Sequence, residues 1–103
     1  MVNRPLKISD LLAEVKAKIV SGYYLDTRHA THRRVERKIT RLEVIYVLIT
    51  GRHEKFKDRF DELHRSWNYA IRGKTIDAKE LRIIVSFEEK SQLLIITAID
   101  LKA

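Results

Sequence analysis

The sequence contains no cysteine, which excludes disulfides, a thiolate nucleophile and thiolate metal sites within this chain. No apolar run approaches the length of a membrane span, so we expect no transmembrane segment and no membrane partner. The first residues also lack the apolar stretch and the small-residue cleavage site of a secretory signal. A cytoplasmic location is therefore the default expectation.

Strong catalytic signatures are also missing from the sequence. There is no Gly-rich phosphate loop, no paired-carboxylate constellation and no nucleophile elbow. His29 and His32 lie three residues apart, a spacing that can hold a metal ion on a helix, but no third ligand is fixed nearby. We therefore predict neither a metal site nor a cofactor, and we interpret His32, His53 and His64 as exposed or hydrogen-bonded side chains.

Positive charge is abundant, and it is concentrated in one segment. The 103 residues are 45% hydrophobic and 34% charged, with a net charge of +7, a composition typical of one globular domain. Residues 28–41 hold six Lys and Arg residues but a single acid, Glu36. Such a basic patch indicates a polyanionic partner such as nucleic acid, whereas the alternative is a solvated helix face.

The basic segment is predicted to be a helix that begins where a short strand at 23–26 ends. His29, Arg33 and Arg37 are four residues apart, so they fall along one face of this helix. Histidine titrates near neutral pH and suits proton transfer, while guanidinium groups one and two turns later suit a phosphate. In the structural alternative His29 caps a carbonyl, and the arginines pair with acids, namely Asp26, Glu36 or Glu43.

A second helix is predicted directly after the basic one. Thr40 and Glu43 have the spacing of a capping box, which starts this helix at about Arg41. Gly51 stands where a helix C-terminus commonly has a left-handed residue. The apolar residues of this helix point in nearly all directions around its axis, which predicts a buried helix. They are Leu42, Val44, Ile45, Val47, Leu48 and Ile49.

The N-terminal part of the chain has the spacing of an amphipathic helix. It covers about residues 6–20, with Ser9 as the predicted N-cap and Ser21-Gly22 at its end. The apolar side of this helix either packs on the core of its own chain or docks a partner helix, as in a homodimer.

The C-terminal half has strand patterns. Residues 53–58 alternate as on an edge strand, and a charged loop follows. Alternation predicts strands near 67–72 and 81–88, and 93–101 is apolar on both faces, as in a central strand. We therefore predict an α+β domain with an N-terminal helix, then two helices packed on one face of a three- to four-stranded antiparallel sheet.

The order of these motifs resembles a bacterial family catalogued as domain of unknown function 4258. Its members share a His-Ala-x-x-Arg-x-x-x-Arg-x-Ile-Ser/Thr segment, here His29 to Thr40, and a helix closed by glycine, here Gly51. They continue with a strand that ends in glycine, here Gly73, and a last strand with an Ile-Thr pair, here Ile96-Thr97.

That family is similar to the BrnT and RelE toxin groups, which implies a β-α-α-β-β-β core. The resemblance to the family of domain of unknown function 4258 covers about residues 23–101. The single domain, 1–103, would thus combine this core with an additional amphipathic helix at 1–22. Arg34 is a departure, because the family usually has a large apolar residue such as Met at this position.

The resemblance implies a toxin-like ribonuclease that an antitoxin protein neutralises. The 2′-hydroxyl of RNA would attack the neighbouring phosphate without a metal ion, which requires a base, an acid and cations over the phosphorus. We expect His29 to serve as base or acid, and Arg33 and Arg37 to bind and stabilise the phosphate. Further nucleic-acid-binding candidates are Arg34, Lys38, Trp67, Arg72, Lys74 and Arg82.

A binding module without catalysis is the second interpretation. In this case the same basic face grips nucleic acid or an acidic partner protein. Trp67 or Tyr69 would stack on a base in either interpretation, although strand aromatics that alternate with polar residues also suit the core.

Overall fold

The structure, a computed structural model, describes residues 4–88 and 92–102, and within them it contains three α-helices and six strands. In chain order the elements are α1 (Leu11–Ser21), β1 (Tyr24–Asp26), α2 (Arg28–Glu36), α3 (Arg41–Thr50), β2 (Arg52–His53), a 3₁₀ turn (Lys55–Lys57), β3 (Arg59–Asp61), β4 (Ser66–Lys74), β5 (Glu80–Phe87) and β6 (Leu93–Asp100).

The strands form a mixed sheet in the order β1-β6-β5-β4-β2, with β3 also paired to β4. β1 runs parallel to β6, and the other pairs are antiparallel. The α+β class is confirmed, and β1 corresponds to the short strand predicted at 23–26. The sheet is mixed and six-stranded, whereas the pattern predicts three or four antiparallel strands, because β2 and β3 have only two or three residues, too few for alternation to be visible.

The segment between α3 and β4 differs from its prediction. Instead of an edge strand at 53–58, β2 has two residues, the 3₁₀ turn follows, and β3 lies within the expected loop. The carboxylate of Asp58 causes the interruption, because it accepts a hydrogen bond from the Ala70 amide at 2.9 Å and so replaces a strand partner of β4. It also contacts His53 Nε2 at 2.8 Å and Lys7 Nζ at 3.0 Å.

The three helices share one face of the sheet. α2 packs on β6 and β1, α3 packs on β4 and β5, and α1 packs on α3. The core between the layers uses alternate residues of the strands, such as Leu81, Ile83 and Val85 of β5. Within the described residues, no helix has the length and apolar character needed to cross a membrane.

The start of α3 follows its prediction, but its end and its burial do not. Thr40 Oγ1 accepts from the Glu43 amide at 3.1 Å, and Glu43 Oε1 accepts from the Thr40 amide at 2.9 Å, which confirms the capping box. Gly51 is not left-handed, since its φ is −77° and its ψ −175°. A Cβ there would lie 2.6 Å from Val47 O and 2.7 Å from Arg72 O, so close approach to β4 requires the glycine.

Only one side of α3 is buried, which corrects the expectation of burial all round. Val44, Val47 and Leu48 are buried, whereas Leu42 is 79% exposed and Ile49 is partly exposed. On the outer side of α3, Leu42, Tyr46 and Ile49 line an open groove together with the turn at 75–77.

α1 packs on the core of its own chain, which confirms the first of the two alternatives for this helix. Its buried residues are Leu11 and Val15. The N-cap is Asp10 rather than Ser9, because the Asp10 side chain accepts from the Ala13 amide. Gly22 ends the helix at a φ of 77°, in the left-handed region that favours glycine.

Candidate nucleic-acid interface

The basic helix α2 is fixed to the sheet at its first residues. The Thr27 amide donates to Ile95 O at 3.1 Å, and Thr27 Oγ1 accepts from the Ala30 amide at 3.0 Å. Ala30 is the buried residue of the helix, so most of its other side chains point outward. The helix therefore presents its charges to solvent while its axis is held against β6.

The structure places the three predicted catalytic residues in different environments. His29 is exposed. Arg33 is also exposed, and its Nη1 lies 3.6 Å from Glu36 Oε1, a loose pair on the surface. Arg37 Nη1 donates to Ala98 O at 2.6 Å and to Thr97 Oγ1 at 3.4 Å. His29 and Arg33 are thus accessible to a ligand, whereas Arg37 holds the end of α2 on β6.

Arg34 and Lys38 lie on the same segment with different exposure. Arg34 is partly buried, donates from Nη1 to Ile39 O at 3.3 Å and lies 3.9 Å from an Asp26 carboxylate oxygen. Lys38 is exposed, with a left-handed φ of 57° at the turn between α2 and α3. Of the two, only Lys38 has a side chain that is open to a partner.

The sheet arginines belong to an internal ion-pair network. Arg72 and Arg82 stand opposite each other on β4 and β5. Both contact Glu54, at 3.1 and 2.6 Å, and Arg72 also contacts Glu80 at 3.0 Å. The hydrogen bond from Arg82, followed by that from Arg72, holds the pKa of Glu54 below its ordinary value, although burial alone would raise it. Lys74 is exposed at the end of β4.

The N-terminal segment covers part of Trp67. Trp67 Nε1 donates to Pro5 O at 2.8 Å, and Lys7 Nζ lies 4.7 Å from the centre of the indole ring. The Phe60 ring meets the indole edge-on at 5.2 Å. Tyr69 is buried, and its hydroxyl accepts from the Ile8 amide at 3.0 Å, so the core alternative is confirmed for Tyr69.

A groove of about 710 Å³ opens on the face of the sheet that the helices leave uncovered. It extends from the turn after β3 to Thr27, the residue that caps α2. Its lining residues are Thr27, Asp61, His64, Arg65, Ser66, Asn68, Ser86, Phe87, Glu88, Leu94 and Ile96.

One charged pair in this groove was not singled out by the sequence interpretation. His64 Nδ1 lies 2.8 Å from Asp61 Oδ2, and the His64 amide donates to Asp61 Oδ1 at 3.1 Å. The interpretation of His64 as a hydrogen-bonded residue is confirmed, but the pair was missed. The signal available in the sequence is an acid three residues before a histidine, at the entry to a strand.

The described residues contain no group of three or more side chains arranged to hold a metal ion. His53 and His64 each pair with a single aspartate, Asp58 and Asp61 respectively. His32 lies 3.6 Å from Glu36 on the exposed side of α2.

Comparison with known proteins agrees with the resemblance derived from the motifs. A family model described as "Domain of unknown function (DUF4258)" matches residues 27–100. The match begins at the cap of α2 and ends in β6, so α1 and β1 lie outside it. No curated protein and no solved structure matches the chain.

Proposed function

The chain belongs to the family of domain of unknown function 4258, and on that premise we propose that it is a toxin-like ribonuclease. It cleaves RNA on the basic face of α2 without a metal ion, in the cytoplasm, and an antitoxin protein neutralises it. The observation that carries the proposal is the position of His29 and Arg33. Both are exposed, one helical turn apart, on a helix whose cap residue Thr27 lines the groove.

The charge of this surface favours RNA as the substrate. The exposed charged side chains of α2 and the turn after it are mostly cationic, while Glu36 is the one acid between residues 28 and 41. Such a surface attracts the phosphate backbone of a nucleic acid. The exposed cations of this segment are Arg28, Arg33, Lys38 and Arg41.

Transesterification suits the residues on this face. His29 transfers a proton to or from the reacting oxygens, since an imidazole is both acid and base near neutral pH. Arg33 binds the phosphate and stabilises the negative charge that develops on it. The loose contact between Arg33 and Glu36 is exchanged for the phosphate at little cost, because exposed ion pairs contribute little free energy. Arg37 fixes the angle of the helix through Ala98.

We propose the antitoxin because we also propose that the family is related to the BrnT and RelE toxin groups. A homodimer through α1 is not part of the proposal, because Leu11 and Val15 already pack in the core of their own chain.

A binding module without catalysis is the second candidate. It is favoured by the ion pairs of the open sheet face, where Arg72 and Arg82 pair with Glu54 and Glu80. With these two arginines committed to acids of the same chain, fewer cations are available to stabilise a transition state. In this candidate the phosphate backbone is bound by α2 alone.

Induced expression in a bacterial host tests the proposal. Wild type should arrest growth and degrade total RNA, whereas His29→Ala should do neither at the same protein level. His32→Ala is the matched control, since His32 lies on the same helix and is also exposed. Under the binding interpretation His29→Ala behaves like wild type, and the double variant Arg33→Ala, Lys38→Ala binds RNA with a shallower salt dependence.

A further inference from the structure

The turn between β3 and β4 carries a histidine in a defined orientation. Asp61 and Ser66 are paired at the ends of the two strands, and Phe60 packs edge-on against Trp67 one residue before. His64 sits in the turn that this pairing closes, and Asp61 binds both its amide and its ring. One carboxylate therefore fixes the backbone of His64 through the amide and its ring through Nδ1, although the His64 side chain is 70% exposed.

The chemistry of the pair determines which ring nitrogen is reactive. The hydrogen bonds from the ring and the amide of His64 hold the pKa of Asp61 below its ordinary value, so the carboxylate is ionised and can only accept. Nδ1 of His64 therefore carries the hydrogen. In the neutral ring Nε2 is then the basic nitrogen, and no described residue is hydrogen-bonded to it.

The other histidines of the chain lack this combination of features. His53 also pairs with an aspartate, but its side chain is only 10% exposed and Asp58 is fully buried, with Lys7 as a further partner. His32 contacts Glu36 at 3.6 Å on the open surface, away from the groove. His64 is the histidine that lines the groove, and the charged groups that share the groove with it are Asp61, Arg65 and Glu88.

The remaining walls of the groove have the composition of a nucleotide site. Its volume of about 710 Å³ lies in the usual range for small-molecule pockets. Phe87, Leu94 and Ile96 supply an apolar surface for a base, and Asn68 supplies an amide for hydrogen bonds to its edge. Thr27 also brings the N-terminus of α2 to the groove. The first amides of a helix have no intrahelical partner and favour a phosphate, so the scissile phosphate would lie between this helix and His64.

We propose that the groove binds one nucleotide of single-stranded RNA and that His64, oriented by Asp61, accepts the proton of its 2′-hydroxyl. This proposal rests on the proposed ribonuclease function and deepens it, because it assigns the base to His64 and leaves the acid to His29. His64 is then a catalytic residue, and Asp61 is a positioning residue.

The step balances in atoms and charge. The 2′-hydroxyl proton moves to His64 Nε2 as the 2′-oxygen forms a bond to phosphorus. The bond between phosphorus and the 5′-oxygen breaks, and this oxygen takes a proton from protonated His29. The products are a 2′,3′-cyclic phosphate and a 5′-hydroxyl, and water exchange returns both histidines to their starting forms.

Two measurements on the full chain test the proposal. The first is cleavage of a single-stranded RNA by wild type, His64→Gln and Asp61→Asn, with His32→Gln as the control. We expect a loss of about 100-fold or more for His64→Gln, the usual contribution of a general base, and no loss for the control. In Asp61→Asn kcat should fall while KM changes little, because the ring loses the carboxylate that orients it but the groove remains.

The second measurement is NMR of the histidine rings during titration with an RNA whose 2′-oxygens are methylated, which binds but does not react. The ring signals of His64 should shift, while those of the buried His53 should not. The side-chain amide signals of Asn68, which also lines the groove, should shift in the same titration.

The outcomes separate the two proposals. Cleavage by His64→Gln at the wild-type rate overturns the assignment of the base and leaves the ribonuclease function standing. No cleavage by wild type, with shifts at His64, overturns the ribonuclease function and supports the nucleotide site. No cleavage and no shifts at His64 or Asn68 overturn both.

Discussion

Arg37, the residue that ends α2, donates a 2.6 Å hydrogen bond from Nη1 to the main-chain oxygen of Ala98 on β6. β1 pairs with β6 only as far as Ile95, so beyond this point the edge of β6 needs other partners. The basic helix supplies one of them. The side chain that the sequence assigns to phosphate binding thus also determines where α2 lies on the sheet.

Replacing Arg37 is therefore expected to affect stability. Arg37→Ala should lower the free energy of unfolding by about 1–2 kcal/mol, because a hydrogen bond from a charged donor is lost. Urea denaturation followed by circular dichroism measures this. Arg33→Ala is the control and should change stability by less than about 0.5 kcal/mol, as for other exposed ion pairs. Equal effects of the two variants would contradict the anchoring role of Arg37.

Replacement of Glu54, the acid that pairs with the sheet arginines, should lower the stability of the protein clearly. Its side chain is 3% exposed between Arg72 and Arg82, so Glu54→Gln should destabilise the protein by about 1–3 kcal/mol. This is less than the loss of a fully buried pair, because water reaches both arginines. Glu62→Gln is the exposed control, with an expected change below about 0.5 kcal/mol.

The same carboxylate makes stability depend on pH. The pKa of Glu54 is lower in the folded protein than its ordinary value of 4.5, mainly because of Arg82. Its contribution is therefore complete above pH 4.5 and is lost as the pH falls below that value through the folded pKa. Unfolding measured from pH 7 to pH 3 should show a steeper acid loss in wild type than in Glu54→Gln. Parallel curves for the two proteins would be inconsistent with this carboxylate being ionised in the fold.

Replacement by alanine should lower the stability of the protein more at Gly51 than at Gly22. At Gly51 the new Cβ would meet Val47 O and Arg72 O at less than 3 Å, which are backbone atoms that cannot move aside. We expect a loss of about 3 kcal/mol or more, at or above the usual cost of overpacking. At Gly22 the Cβ meets nothing within 4 Å, and only the left-handed φ costs about 1–2 kcal/mol. Thermal unfolding of both variants should rank them in this order, and the reverse order would refute the close-approach explanation.

α1 lies outside the family match, but its packing predicts that it is part of the folding unit. Leu11 is 2% exposed and contacts the common core, so Leu11→Ala should cost about 2–5 kcal/mol. Val20 is on the same helix and 85% exposed, so Val20→Ala should be nearly neutral. If Leu11→Ala were as stable as Val20→Ala in urea denaturation, α1 would be a detachable addition rather than part of the core.

Local signals account for what could be predicted from the sequence. The capping box of Thr40 and Glu43 located the start of α3 because a capping box is complete within four residues. The long strands β4, β5 and β6 each show enough alternation or apolar length to be recognised. Family membership was predicted from motif order in the same way, and the match to residues 27–100 confirms it.

Long-range geometry explains what the sequence did not reveal. The sequence suggests a left-handed cap at Gly51, but a Cβ is excluded there by Val47 O of α3 and by Arg72 O of β4. The second atom lies twenty-one residues later in the sequence. The pairing of Arg72 and Arg82 with Glu54 depends on the position of the segment after β2 over β4 and β5, which the pattern of neither strand contains. Likewise, the side of α3 that is exposed depends on how the helix packs on the sheet, which the residues of the helix alone do not show.

Cleavage of single-stranded RNA by the purified full chain, in the presence of a metal chelator, is the most direct test of the proposed ribonuclease function. We expect fragments with 2′,3′-cyclic phosphate ends from wild type and from His32→Ala, and intact RNA with His29→Ala of equal stability. Intact RNA with folded wild type, or equal cleavage by His29→Ala, would contradict it.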